Sequence, residues 1–148
     1  DGQTVWFAAR IAGKSEPWST NFDLYEVPVD GSAEPKNLTA DNPAWDGYPV
    51  ISPDGRTLVY RAMTRPGFEA DRWRVMARDL KTGATRELAP EWDRSPDTLV
   101  FSPDSRTLYA LADSLGQKPL FAIDVAKGGA RELYADGQVR SVAATRDR

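Results

Sequence analysis

The chain has 148 residues, 41% of them hydrophobic and 28% charged, which suits one folded domain and is too apolar for a disordered chain. Nineteen Lys and Arg against 22 Asp and Glu give a net charge of −3 with no basic run, so no nucleic acid is expected as a partner. There is no cysteine and no histidine, which excludes disulfides, thiolate or imidazole metal sites, and any Ser-His-Asp or Cys-His catalytic unit built from these residues.

No apolar stretch approaches the roughly 18 residues of a membrane helix, so no membrane partner is expected. Neither a signal peptide nor a lipidation motif is visible. Gly-x-Ser-x-Gly, Gly-x-Gly-x-x-Gly and the P-loop are all missing, and no cofactor or metal is expected. No segment carries a helical period.

In chain order the predicted elements are short strands. Thr4–Ala8 follows an Asp1-Gly2 turn, Asp23–Val29 ends at Asp30-Gly31, Lys36–Leu38 is short and exposed, and Tyr48–Ser52 leads into Ser52-Pro53-Asp54-Gly55. The same four signals return as Thr57–Ala62, Trp73–Leu80, Arg86–Leu88 and Thr98–Ser102. They return again as Thr107–Leu111, Leu120–Val125, Arg131–Leu133 and Ser141–Thr145. Val5, Phe7, Leu58, Tyr60 and Leu108 are the expected core positions of the first strand in each set.

These signals form a repeat. Ser52-Pro53-Asp54-Gly55-Arg56-Thr57-Leu58 recurs fifty residues on as Ser102-Pro103-Asp104-Ser105-Arg106-Thr107-Leu108. Asp1–Val5 and Thr145–Arg148 are partial copies, so the repeat units run about 1–53, 54–103 and 104–148 of one partial domain. The motif reads as a tight turn: Pro presets φ, Asp caps through its side chain, and Gly takes positive φ. That role is preferred to metal ligation by Asp54 or Asp104.

Four antiparallel strands repeated every 40 to 50 residues predict an all-β fold, a β-propeller of about three four-stranded blades in an open or partial ring. A β-sandwich of about twelve strands is the alternative. With strands lettered A to D from the channel outward, the chain holds B-C-D, two full A-B-C-D blades and a lone A. Its open edges predict self-association, with two copies supplying six blades, inside the usual range of about four to eight.

The repeat resembles that of TolB-type propellers and of the prolyl oligopeptidase-family serine peptidases. Asn37–Asp46, Arg65-Pro66-Gly67-Phe68-Glu69-Ala70-Asp71-Arg72-Trp73 and Glu91-Trp92-Asp93-Arg94-Ser95 resemble bacterial dipeptidyl-peptidase and acylaminoacyl-peptidase members more closely. The resemblance implies a propeller that caps an α/β-hydrolase domain, restricts access to small peptides and offers an acidic group to the substrate amino terminus. It implies a bacterial periplasmic setting, with the cytoplasm also open. The hydrolase domain is outside these 148 residues.

Alternating strand directions send the B–C and D–A loops to one propeller face. Trp18, Trp45, Phe68 and Trp92 lie in those loops and Trp73 at the edge of one. Long aromatic loops on a rigid scaffold are a common binding surface. The candidate substrate-binding residues are therefore Glu69 and Phe68, with Trp92 and Asp93; no catalytic residue is expected. Glu69 is placed to hold a peptide ammonium, against the alternative of a surface pair with Arg65 or Arg72. Trp92 and Asp93 are placed to wall a substrate side chain, against packing between blades. Asn37-Leu38-Thr39 fits a glycosylation sequon but lies in a strand.

Two functions remain open on these residues. One is the non-catalytic propeller portion of a serine peptidase, partnered by peptide substrate and a hydrolase domain. The other is a stand-alone TolB-like protein-interaction propeller. A carbohydrate-active propeller would need two facing carboxylates about 5 to 10 Å apart.

Overall fold

The computed structural model describes residues 2–15 and 17–145. Eleven strands lie in three antiparallel sheets: β1 (Thr4–Ala9), β2 (Asp23–Pro28) and β3 (Lys36–Asn37); β4 (Asp46–Ile51), β5 (Thr57–Ala62), β6 (Arg74–Asp79) and β7 (Thr85–Leu88); β8 (Pro96–Phe101), β9 (Thr107–Ala112), β10 (Leu120–Asp124) and β11 (Ala130–Tyr134). Each sheet runs in sequence order, β1-β2-β3, β4-β5-β6-β7 and β8-β9-β10-β11, the meander of a propeller blade. The one helical segment among the described residues is a 3-10 turn at Gly13–Ser15, inside a loop.

The strands form where the repeat predicts them because each hairpin is closed by its own side chains. In the first full copy the Ser52 hydroxyl donates to the Asp54 carboxylate at 2.6 Å and accepts from the Thr57 amide at 2.9 Å. Asp54 also accepts from the Arg56 amide at 3.1 Å, and the Ser52 amide donates to the Thr57 carbonyl at 2.9 Å. The second copy repeats this: Ser102 to Asp104 at 2.6 Å, Arg106 amide to Asp104 at 3.0 Å, and Thr107 amide to Ser102 at 2.9 Å. The serine hydroxyl, then the arginine amide, holds each aspartate below the ordinary carboxylate range. Both carboxylates are thus used by the turn. Gly55 sits at φ 70°, and Ser105 takes the same left-handed conformation at 64°, where a side chain is strained.

The chain divides into two compact units, Asp1–Pro49 with Tyr60–Arg72, and Val50–Val59 with Trp73–Arg148. In the second unit a continuous core joins Val59, Val75, Leu88, Leu99, Phe101, Leu108, Phe121 and Ile123, each at most 9% exposed. In the first unit Leu24, Leu38, Ala44 and Tyr60 are buried, and Phe7 stacks on Tyr25 at 5.5 Å. Leu58, Tyr60 and Leu108 are buried as expected, and Phe7 is half-buried. Val5 is not core: it is 47% exposed on β1, the edge strand of its sheet, and no described element covers its face.

Two other expectations change. Ser141–Thr145 is not a strand, because no described strand pairs with its backbone; the chain there makes only an earlier isolated bridge, Lys118 with Gln138. Asp1 and Arg146–Arg148, which carry the ends of the partial repeat copies, lie outside the described residues. Asn37 is structural: its amide donates to Asp23 at 2.9 Å and to the Tyr25 hydroxyl at 3.3 Å, and its carbonyl accepts from the Thr39 amide.

Replacing Ser102 by Ala removes both of its turn bonds and should lower unfolding free energy by about 1 kcal/mol. Urea unfolding of the purified chain measures this, and a change within error would show that the hydroxyl does not hold the hairpin.

Candidate functional site

In the first unit the loops that leave the same end of their strands meet one another. Gly67 donates its amide to the Thr20 hydroxyl at 3.0 Å, linking the loop after β1 to the loop after β5. Asn42, in the loop before β4, donates to the Met63 carbonyl at 3.1 Å and to the Asp46 carboxylate at 2.9 Å. The Met63 amide donates to the Trp45 carbonyl at 2.8 Å. Between these loops the Phe22 and Trp45 rings stack at 4.7 Å, with the Arg10 guanidinium 5.4 Å from the Phe22 ring centre. Gly47 lies close beside them: a Cβ there would lie 3.3 Å from the Trp45 indole nitrogen, a tight contact. Trp18 is 80% exposed on the first of these loops.

The loop from Thr64 to Asp71 is organised by one carboxylate. Asp71 is 8% exposed and accepts from the Thr64 amide and hydroxyl, both at 2.8 Å, from the Arg65 amide at 2.9 Å and from Arg65 Nε at 2.9 Å. A second guanidinium nitrogen of Arg65, Nη2, lies 2.8 Å from the same Asp71 oxygen, Oδ1. Burial pushes the Asp71 carboxyl up, but the Thr64 and Arg65 donors outweigh it and hold the group far below the usual carboxylate range. The guanidinium of Arg65 also lies 4.0 Å above the Phe68 ring. Phe68 is 44% exposed, and Glu69 beside it is exposed with no ion pair or hydrogen bond among the described residues. Arg65 is therefore the partner of Asp71, not of Glu69.

Trp92 and Asp93 belong to the second unit. Trp92 packs against the core there, edge-on to Phe121 at 5.0 Å and 63°. Asp93 has its side chain 93% exposed, 3.5 Å from Arg94. Arg94 in turn donates to the Ser114 hydroxyl at 3.2 Å, tying the loop before β8 to the loop after β9. Lys118, in the loop after β9, pairs with Asp97 on β8. Phe68 and Glu69 are thus neighbours on one loop of the first unit, and Trp92 and Asp93 on one loop of the second.

Three residues of the first unit were not singled out from the sequence. Asp71 organises the loop that carries Glu69. Arg61, on β5, is 5% exposed, and its guanidinium carbon lies 3.3 Å from the centre of the Tyr48 ring. Tyr48, on β4, has φ 59° and is 54% exposed. The signal for the last two was available in the repeat, where Tyr48 stands at the position of Thr98 and Arg61 at that of Leu111.

Blades with these turns and loops define a β-propeller of TolB-like repeats, and known proteins agree. TolB from Acinetobacter baumannii superposes with a TM-score of 0.68 at 19% identity, over 93% of this chain and 32% of that one. Puromycin hydrolase superposes with a TM-score of 0.69 at 25% identity, over 89% of this chain and 21% of that one. In sequence, dipeptidyl-peptidase 5 of Porphyromonas gingivalis is 32% identical over 148 residues, 95% of this chain and 22% of that protein. No protein-family model matches the chain. The chain is thus similar in sequence to part of the dipeptidyl-peptidase 5 proteins and shares the TolB-like propeller fold. It spans about a fifth of the length of the curated relatives it matches, 22% and 18% for the first two.

Asp71→Asn should lower stability by about 1.5–3 kcal/mol at neutral pH, since the lost bonds are charge-assisted. The folded carboxyl titrates below its ordinary value of 3.8, so its contribution is complete above that value and fades as pH falls below it. Thermal unfolding should therefore show a constant gap between the two proteins from pH 5 to 8 and a narrowing gap below pH 4. A gap independent of pH would contradict the assignment.

Proposed function

We propose that this chain is the non-catalytic propeller portion of a serine peptidase. In this reading it gates access and binds the amino terminus of a peptide for an α/β-hydrolase domain that lies outside these residues. The observation that carries the reading is the state of Glu69. Arg65, four residues before it, is engaged by Asp71 and Phe68, and neither Arg65 nor Arg72 is ion-paired with Glu69 among the described residues, which leaves an exposed carboxylate on the loop. A carboxylate so placed, with an apolar ring beside it, suits an ammonium group next to a side chain. The relatives support the reading, since the proteins of similar sequence carry the name dipeptidyl-peptidase 5.

The chemistry itself must come from elsewhere. Acyl transfer by a serine needs an adjacent base and an oxyanion hole, and these 148 residues contain no histidine, no cysteine and no nucleophile-elbow motif. The propeller's contribution is then positioning: one fixed charge at the amino end of the peptide sets how far its scissile bond lies from the hydrolase.

The purified chain should not turn over dipeptidyl or acyl-peptide chromogenic substrates, and turnover free of host peptidases would refute a non-catalytic role. In the peptidase that carries this segment, Glu69→Gln should reduce kcat/KM for substrates with a free amino terminus about five- to tenfold, or roughly 1–1.4 kcal/mol for one partly solvated charged contact. Amino-blocked substrates should change by less than twofold. Equal effects on both classes would remove Glu69 from the site.

A further inference from the structure

The two full blades are copies of one another, so each shows what the architecture requires of its sister. At Leu111, on β9, the strand position is apolar and fully buried. Its counterpart fifty residues earlier is Arg61, on β5, which is only 5% exposed. At the paired position on the preceding strand, Thr98 of β8 is matched by Tyr48 of β4, and buried Pro96 is matched by Asp46 at 1% exposure. A guanidinium stays charged at any ordinary pH, and withdrawing it from water is costly. The blade does not demand that cost, because its sister is built without it.

Tyr48 carries a second cost at the same place. Its φ of 59° is left-handed, a conformation in which a bulky residue is strained. The result of the two features together is specific. The Arg61 guanidinium lies against one side of the Tyr48 ring, while 54% of the residue stays open to solvent. A tyrosine on an edge strand would ordinarily sample several rotamers; this one is held by strained backbone and by a buried cation. Tyr48 and Arg61 also lie near the ends of β4 and β5 from which the Trp45 and Thr64–Asp71 loops depart, within the first unit.

We propose that Tyr48, braced by Arg61, is an aromatic platform that takes an uncharged aromatic side chain of a bound peptide. With the guanidinium on one side, the open side of the ring offers a flat surface suited to stacking by such a group. The proposal deepens the peptide-binding reading above and rests on it: Glu69 meets the ammonium, and Tyr48 reads a side chain.

The test is titration of the 148-residue chain, followed by two-dimensional amide NMR, with three dipeptide amides. These are alanyl-phenylalanine amide, alanyl-alanine amide and the amino-acetylated form of the first. The phenylalanine peptide should bind at least fivefold more tightly than the alanine peptide, and Tyr48→Thr, which installs the sister blade's residue, should reduce that ratio to under twofold. Arg61→Leu, again the sister residue, should keep the fold and cut the ratio in the same direction. If either variant does not fold, Tyr48→Asn, which tolerates the left-handed backbone, decides by the same reduction of the ratio to under twofold. Glu69→Gln should weaken both amino-free peptides equally and leave the aromatic ratio unchanged. An aromatic preference that survives Tyr48→Thr, or is absent from the unaltered chain while the acetylated peptide is still discriminated against, overturns the platform and leaves the amino-terminal reading standing. An aromatic preference without discrimination against acetylation supports the platform and overturns the role of Glu69. No measurable binding of any peptide overturns both.

Discussion

Each full blade depends on a knot of hydrogen bonds at its first hairpin, where one serine hydroxyl both donates to an aspartate and accepts from a threonine amide. The knot matters because strand register has a period of two, so a slip of one residue would turn every core side chain to the other face. With the turn closed by side chains, Leu58 and Leu108 can only point inward, and both are completely buried. The second unit adds a tie between consecutive turns, the Asp54 amide donating to the Ser105 hydroxyl at 3.1 Å. That bond gives a reason for a serine in place of glycine at a left-handed position: the hydroxyl offsets some of the backbone strain.

The opposite ends of the strands are free of this constraint and carry the longer loops. There two of the loops of the first unit are ordered by polar hubs. Asp71 gathers four donors from Thr64 and Arg65, and Asn42 bridges the loop before β4 to the end of β5. A hub of this kind orders backbone while leaving neighbouring side chains exposed, which is how Phe68 and Glu69 come to be presented together. Division of labour between the two ends follows from topology, because antiparallel strands send alternate connections to alternate ends.

The departures between sister blades are as informative as the repeat. Where both blades keep an apolar residue, as at Leu58 and Leu108, the fold alone accounts for it. Where one blade holds Arg61 and Tyr48 against Leu111 and Thr98, the four-stranded blade as such does not require them, as the sister shows. Gly47 against Asp97 is a further departure, and there the Trp45 indole lies in tight contact with the place a Cβ would take.

The amino-acid sequence by itself determined the all-β blade, its strand order and its turns, because these rest on local chemistry: proline at a preset φ, aspartate and serine bonded within five residues, and alternation along each strand. It also determined that these residues hold no catalytic triad, a matter of composition. Tertiary structure alone decided which charges are spoken for. Arg65 could pair with Glu69 or with Asp71 at nearly equal spacing, and only the fold of the loop brings Asp71 under its guanidinium while Glu69 stays outside. Tertiary structure also decided that Val5 is exposed on an edge strand and that Ser141–Thr145 is not a strand, since burial and ladder bonds need a neighbour that no local pattern specifies. The contact of Arg61 with Tyr48 is of the same kind: the residues are 13 apart in the chain and meet only because β4 and β5 lie side by side.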